Sequence, residues 1–236
     1  MSMSEGHLLS PVALCQSPYR QKFAIPRQPN LVPAAIGRLL LQGECNRAEI
    51  LKGLEQFSHL WLIWGFHENQ AQGWKPMVRP PRLGGNTRLG VFATRATFRP
   101  NGLGLSVVRL HGIGQQGKQH YLEVSGIDLL DGTPIYDIKP YIPYSDAHPD
   151  AQGGYAQEPP AQMTMTVQPQ AEAQLAEAER QQPGFTELAR QVLAQDPRPA
   201  YQQAEPERVY GVQLYDWDLR WQVKDEVNSV CAVVRL

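Results

Sequence analysis

Residues 105–130 read LSVVRLHGIGQQGKQHYLEVSGIDLL, and the glycines at 112, 114 and 117 decide which fold the chain adopts. Gly112-Ile113-Gly114-Gln115-Gln116-Gly117 is a literal GxGxxG. In a dinucleotide-binding fold that pattern follows a strand and opens a helix, so that a pyrophosphate meets the helix N-terminus. Here the continuation, KQHYLEVSGI, reads as a second strand. The spacing predicts a hairpin with a polar tip and disfavours a Rossmann architecture.

The flanking sequence extends the β reading. HLWLIWGF (59–66) and RLGVFAT (88–94) are short apolar segments bounded by Pro, Gly and Asn, and HYLEVSGIDLL (120–130) runs into Asp131-Gly132, the signature of a hairpin turn into TPIYDIKPYI. Pro140 and Pro143 place the end of that segment at an edge or rim. A single helix is expected in NRAEILKGLEQF, with Asn46 as N-cap, Glu49 at the capping-box position, and Ile50, Leu51 and Leu54 on one face. Several short strands with one helix predict a mainly β fold, a β-barrel domain over residues 1–150. Pro, Gly, Gln and Ala then dominate, and 151–166 reads as a linker. A small α+β domain is expected at 167–236: helices AEAQLAEAERQ and FTELARQVLAQD, then strands RVYGVQLYDWDLRWQV and NSVCAVVRL, with Trp217 and Trp221 as core residues.

Composition narrows the function classes. The chain has 236 residues, 42% of them hydrophobic, and a net charge of −1, so no global charge draws it to a polyanion. Cys15, Cys45 and Cys231 are far apart, which disfavours a disulfide framework or a structural zinc site and fits the cytoplasm. The start of the sequence lacks a basic region followed by an apolar core, and no run approaches the roughly 18 apolar residues of a membrane span. A membrane partner is not expected. The histidines are scattered, so no metal is expected either. GxSxG and P-loop motifs are missing, which disfavours a serine hydrolase and a P-loop NTPase.

Charge is nevertheless segregated locally. Between Glu68 and Glu123 there is no Asp or Glu, yet Lys75, Arg79, Arg82, Arg88, Arg95, Arg99, Arg109 and Lys118 all fall there, eight of the 22 Lys and Arg residues. Two readings are open: an anionic partner such as a phosphate backbone, or pairing with Asp128, Asp131 and Asp137 across the sheet. His67-Glu68 closes the strand WLIWGF and puts an imidazole and a carboxylate at a strand end.

Taken together, PVALCQSPYRQKFAIPRQP, FSHLWLIWGFHEN, PPRLGGNTRLGVFATRATFRPNGLGLSVVRL and SGIDLLDGTPIYDIKPYIPYSDA resemble, in this order, the TsaA-like family, which includes the TrmO-type tRNA (adenine-37 N6)-methyltransferases. The resemblance covers about 8–150, and YGVQLYDWDLRW is similar to the small extra domain of the bacterial branch. It implies a single-sheet TsaA-like β-barrel, a homodimer, S-adenosylmethionine (SAM) as methyl donor, and the tRNA anticodon loop as partner. The implied substrate is N6-threonylcarbamoyladenosine at position 37 of threonine tRNA; the alternative reading is a SAM- or nucleotide-binding regulatory module without catalysis. Matched motif by motif, the cofactor-binding residues are Pro26, Arg27, Gln28, His67, Glu68, Arg95, Leu105, Ser125, Gly126, Ile127 and Asp128. RPNGLGLS departs from the family, which commonly has Pro-Ile or a similar pair before Gly-Leu-Ser.

The residue chemistry agrees with that implication. Arginine matches the donor's carboxylate through its planar fork, and Glu68 or Asp128 suits its ammonium or ribose hydroxyls. Adenine N6 is a poor nucleophile, so an acceptor for its proton is expected, and Asn101 and Asp137 are the candidate catalytic residues. Arg88, Arg99 and Lys139 are the candidate tRNA-binding residues, with Arg95 facing the cofactor and Pro100 to Gly104 bending the chain around it.

Overall fold

The computed structural model describes residues 8–68, 73–84, 86–198 and 208–236. Six strands close into a barrel: β1 (Ala13–Gln16), β2 (Ile36–Leu41), β3 (His59–Gly65), β6 (Leu103–Gln116), β7 (Gln119–Ser125) and β8 (Pro134–Pro140). Their order around the ring is β1-β2-β7-β6-β3-β8. Closure comes from the antiparallel pairing of Ala13 with Ile135 and Leu14 with Pro134, so the sheet is left without open edges. Alternate residues point inward and fill the barrel: Leu39 and Leu41 from β2, Leu60 and Leu62 from β3, Leu122 and Val124 from β7 are all buried. The short strands β4 (Met77–Val78) and β5 (Leu89–Gly90) form a separate two-stranded arm between β3 and β6.

The GxGxxG stretch is the tip of the β6–β7 hairpin, turning at Gly117 with φ 60°. The Asp131-Gly132 turn also forms, with Gly132 at φ 78° and the Thr133 N–H bonded to the Leu130 carbonyl. It does not join a hairpin: β7 pairs with β2 and β6, whereas β8 pairs with β1 and β3. Of RLGVFAT, only Leu89–Gly90 is strand, and Val91–Ala93 is a 3₁₀ turn.

The expected helix over 46–57 is corrected to two separate 3₁₀ turns, Ala48–Leu51 and Leu54–Gln56, preceded by a third at Gly43–Cys45. Gly53 adopts a left-handed conformation, φ 88°, which interrupts any continuous helix. Asn46 does not cap. Its Nδ2 donates to the Lys118 carbonyl (3.0 Å) and its Oδ1 accepts from the His120 N–H (2.8 Å), fastening this segment to the β6–β7 tip. Ile50 is left exposed.

Beyond α1 (Pro143–Asp146), a second sheet forms in the order β10 (Tyr210–Leu214), β11 (Trp217–Lys224), β12 (Val227–Arg235), β9 (Thr164–Val167). β9 arises within the stretch read as linker, and RVYGVQLYDWDLRWQV is two strands because Tyr215, at φ 52°, turns the chain. α2 (Pro169–Gln181) and α3 (Phe185–Ala194) occupy the expected helical segments. Phe185, Leu188, Val192 and Leu193 pack into the same core as Trp217 and Trp221. That core is continuous with the barrel's, reinforced by a bridge between Tyr19 and Leu214 and by the Tyr215 N–H on the Pro18 carbonyl (2.8 Å). No helix among the described residues is long and apolar enough to cross a membrane.

Because Asn46 reaches backbone groups that a shorter side chain cannot span, Asn46→Ser and Asn46→Ala are both expected to lose about 1 kcal/mol in urea denaturation. Serine is an equally good N-cap, so an Asn46→Ser variant as stable as the parent would restore the helix-cap reading.

Candidate functional site

One end of the barrel opens into a cavity of about 640 Å³, within the roughly 300–1,000 Å³ usual for small-molecule sites. Four chain segments converge on it because each leaves or enters a barrel strand at that end. The loop after β1 contributes Lys22, Ile25, Pro26, Arg27 and Gln28; the end of β3 contributes Trp64, Phe66, His67 and Glu68. Arg95, Thr97 and Arg99 come from the approach to β6, with Leu103 and Leu105 from its start, and Asp128 and Leu130 follow β7. The backbone locks two of these segments together: the Phe66 N–H donates to the Gly102 carbonyl at 2.8 Å.

The cavity therefore gathers Pro26, Arg27, Gln28, His67, Glu68, Arg95, Leu105 and Asp128 from the expected cofactor set, and Arg99 from the expected tRNA set. Ser125, Gly126 and Ile127 are not on its wall. Ser125 hydrogen-bonds His111 (Oγ to Nε2, 2.7 Å), Gly126 exchanges backbone bonds with Asn30 and Ala35, and Ile127 is fully buried. They hold the turn that delivers Asp128. Asn101, Asp137, Arg88 and Lys139 also lie off the wall. Asp137 pairs with Lys139 at 3.0 Å and accepts the Ile138 N–H; Arg88 is exposed. Asn101 sits at φ 65° between the cavity-lining Arg99 and Leu103.

Asp128 is the site's most constrained charged group. The indole N–H of Trp64 donates to Ser106 Oγ at 3.0 Å, and Ser106 Oγ in turn lies 2.7 Å from Asp128 Oδ1. An indole nitrogen only donates, so the fully buried Ser106 hydroxyl accepts there and spends its own proton on Asp128. Trp64 fits against β6 because residue 104 is glycine; a Cβ there would lie 2.4 Å from the indole ring. Burial pushes the Asp128 carboxyl up to about 6, against the opposing influence of the Ser106 bond, its own backbone N–H and the Arg95 charge. No ion pair within 4 Å neutralises it among the described residues.

Arg95 donates to Gln28 Oε1, which sets its guanidinium at the cavity rim. Arg99 bonds the Thr94 and Ala96 carbonyls at 3.0 and 3.3 Å and so ties its loop. Lys22, which the sequence reading missed, contacts both the Glu68 carboxylate (3.5 Å) and the Glu68 carbonyl (3.1 Å). Among the described residues none of the eight cations between Glu68 and Glu123 forms an ion pair, because Asp131 is taken by Arg20 and Asp137 by Lys139. Of the pairing alternative only the longer-range influence of Arg95 on Asp128 remains. Burial also pushes the Cys15 thiol up, so it packs the core rather than serving as a nucleophile. No group of three His, Cys, Asp or Glu residues capable of holding a metal occurs among the described residues.

Asp128 carries a pH signature. Its folded value, about 6, lies above the ordinary carboxylate value of 3.8, so the native state holds a proton that the unfolded chain has released. This contribution to stability is full below about pH 4 and is lost as pH rises through about 6. Asp128→Asn abolishes it, so the variant is expected to gain on the ligand-free parent by about 1–2 kcal/mol between pH 4 and 7, solvent screening included. Urea denaturation at both pH values checks this; a constant difference contradicts it.

The sequence matches two family models in tandem: the tRNA-methyltransferase O N-terminal domain over residues 14–147 and the TrmO C-terminal domain over 160–236. It is 48% identical over 224 residues to the tRNA (adenine(37)-N6)-methyltransferase of Escherichia coli K12, covering 94% of this chain and 95% of that one. It is 53% identical over 216 residues to a putative S-adenosylmethionine-dependent methyltransferase, RcsF, of Pseudomonas aeruginosa PAO1, covering 91% and 92%. A crystal structure of TrmO from P. aeruginosa superimposes over the full length of both chains with a TM-score of 0.81 at 44% identity. The barrel, its mouth and the appended sheet thus occur together in a known family, and the chain belongs to it: a tRNA-methyltransferase O protein with both the N- and C-terminal TrmO domains.

Proposed function

We propose that the nucleoside which this SAM-dependent tRNA (adenine-37 N6)-methyltransferase methylates is N6-threonylcarbamoyladenosine in threonine tRNA. The observation that carries the reading is one cavity with a recessed, unpaired carboxylate, Asp128, and the arginines Arg27 and Arg95, opening beside cations that lack acidic partners. A zwitterionic amino-acid head group fits that donor set: an arginine fork for its carboxylate, Asp128 for its ammonium. When bound, SAM supplies an electrophilic methyl group on a sulfonium. Trp61, Trp64 and Phe66 give the cavity aromatic walls, which favour a cation and exclude water.

The chain's task is then mainly positional, holding N6 within about 3–3.5 Å of the reacting carbon. Of the two candidates for hydrogen-bonding the N6 N–H, Asn101 is favoured, because Asp137 is committed to Lys139 while Asn101 stands beside the cavity-lining Arg99 and Leu103; the amide oxygen accepts the hydrogen bond, and the proton released on methylation leaves to water. Arg88 and Arg99 hold loop phosphates, with Lys139 as a weaker contributor. An anticodon loop yields its base more cheaply than a duplex does. A homodimer in the cytoplasm is part of the same proposal and rests on family membership.

The test uses labelled SAM with tRNA from cells lacking the methyl mark, and the same tRNA lacking the threonylcarbamoyl group. Nucleoside digestion is expected to place label in N6-threonylcarbamoyladenosine of threonine tRNA alone. Label in unmodified adenosine 37 contradicts the substrate assignment, and label in no tRNA contradicts the activity.

A further inference from the structure

The arm between β3 and β6 exposes what a soluble surface normally hides. Phe92 is 80% exposed, Trp74 57% and Met77 49%. The backbone that carries them is held in place. Phe92 sits on the 3₁₀ turn Val91–Ala93, which is pinned by the buried Val91, by the Val91 N–H on the Pro76 carbonyl (3.0 Å) and by the Thr94 hydroxyl on the Val91 carbonyl (2.9 Å). Trp74 precedes Lys75, whose N–H bonds the Phe98 carbonyl at 3.1 Å and whose ammonium lies 5.2 Å from the centre of the Phe98 ring. That anchors the arm to the loop that supplies Thr97 and Arg99 to the cavity.

The surroundings of these aromatics identify what covers them. The arm also carries Arg79 and Arg88, both exposed and, among the described residues, without an ion pair; no acidic residue occurs between Glu68 and Glu123. A protein partner or a second copy with an apolar patch leaves those cations uncompensated. A polyanion with flat apolar faces satisfies both features, since unpaired bases stack on aromatic rings while phosphates meet arginine and lysine. We propose that the β4–β5 arm is a stacking platform on which Phe92 and Trp74 hold unpaired loop nucleotides of the RNA substrate. The proposal deepens the tRNA reading above and rests on it.

The experiment measures binding of the full-length protein to a fluorescent anticodon stem–loop RNA, and to a blunt RNA duplex, over a series of KCl concentrations. Phe92→Ala and Trp74→Ala are each expected to weaken stem–loop binding about tenfold. They should leave the slope against salt, duplex binding and S-adenosylhomocysteine affinity unchanged, and Phe92→Tyr should restore the parental value. Arg88→Ala, in contrast, is expected to lower the salt slope by about one. Stem–loop affinity unchanged in both aromatic variants overturns the platform. So does a Phe92→Ala variant whose only change is a smaller sedimenting species without RNA, which would assign the face to a second copy. If the parent binds the stem–loop and the aromatic variants do not, yet no tRNA is methylated, the platform stands and the catalytic proposal fails.

Discussion

A chain of two hydrogen bonds, from the Trp64 indole through the Ser106 hydroxyl to Asp128, sets the chemistry at the barrel mouth. Its direction is fixed at the indole end, which can only donate; Ser106 accepts there and keeps its own proton for the ionised Asp128 carboxylate. A carboxylate this recessed is costly to ionise, and without Ser106 the Trp64 N–H would also be stranded in the core. The arrangement holds a charge-receptive group against an apolar wall in a single orientation, which is what recognition of a small cation demands.

That interaction depends in turn on barrel closure. Ser106 is opposite Leu62 and Trp64 opposite Gly104 in the β3–β6 ladder, so the indole and the hydroxyl meet only in this register. β8 completes the ring by pairing with both β1 and β3, and it thereby fixes the far side of β3. The arm between β3 and β6 is tied to the same strands through the Phe66 bond to Gly102 and the Lys75 bond to Phe98. The barrel-mouth cavity and the cationic surface thus share one frame.

Much of the cavity's lining was legible before the fold. Pro26 to Gln28, His67-Glu68, Arg95 and Asp128 stand in recognisable motifs, and they converge because each lies where the chain crosses the same barrel end. Ser106 was illegible: in LSVVRL it reads as one more alternating residue, and its importance lies in a tryptophan 42 positions upstream. Ser125, Gly126 and Ile127 belong to the same motif as Asp128 but support it from behind. The fold divides in the same way. α3 was readable from its own periodicity, with Leu188, Val192 and Leu193 on one face. The helix expected at Asn46 failed because a local capping signal lost to a left-handed Gly53 and to bonds reaching 72 and 74 residues away. Asp131-Gly132 made its turn, but strand pairing is non-local, and β8 found its partners elsewhere.

The central claim is that Asp128, oriented by Ser106, receives the cationic end of the methyl donor. A crystal structure of the protein with S-adenosylhomocysteine tests it most directly. The ligand is expected in the cavity between the Pro26–Gln28 loop and the start of β6, with its ammonium within hydrogen-bond distance of the Asp128 carboxylate and its carboxylate at an arginine. A ligand whose amino-acid end lies away from Asp128, or one bound outside this cavity, would contradict the claim.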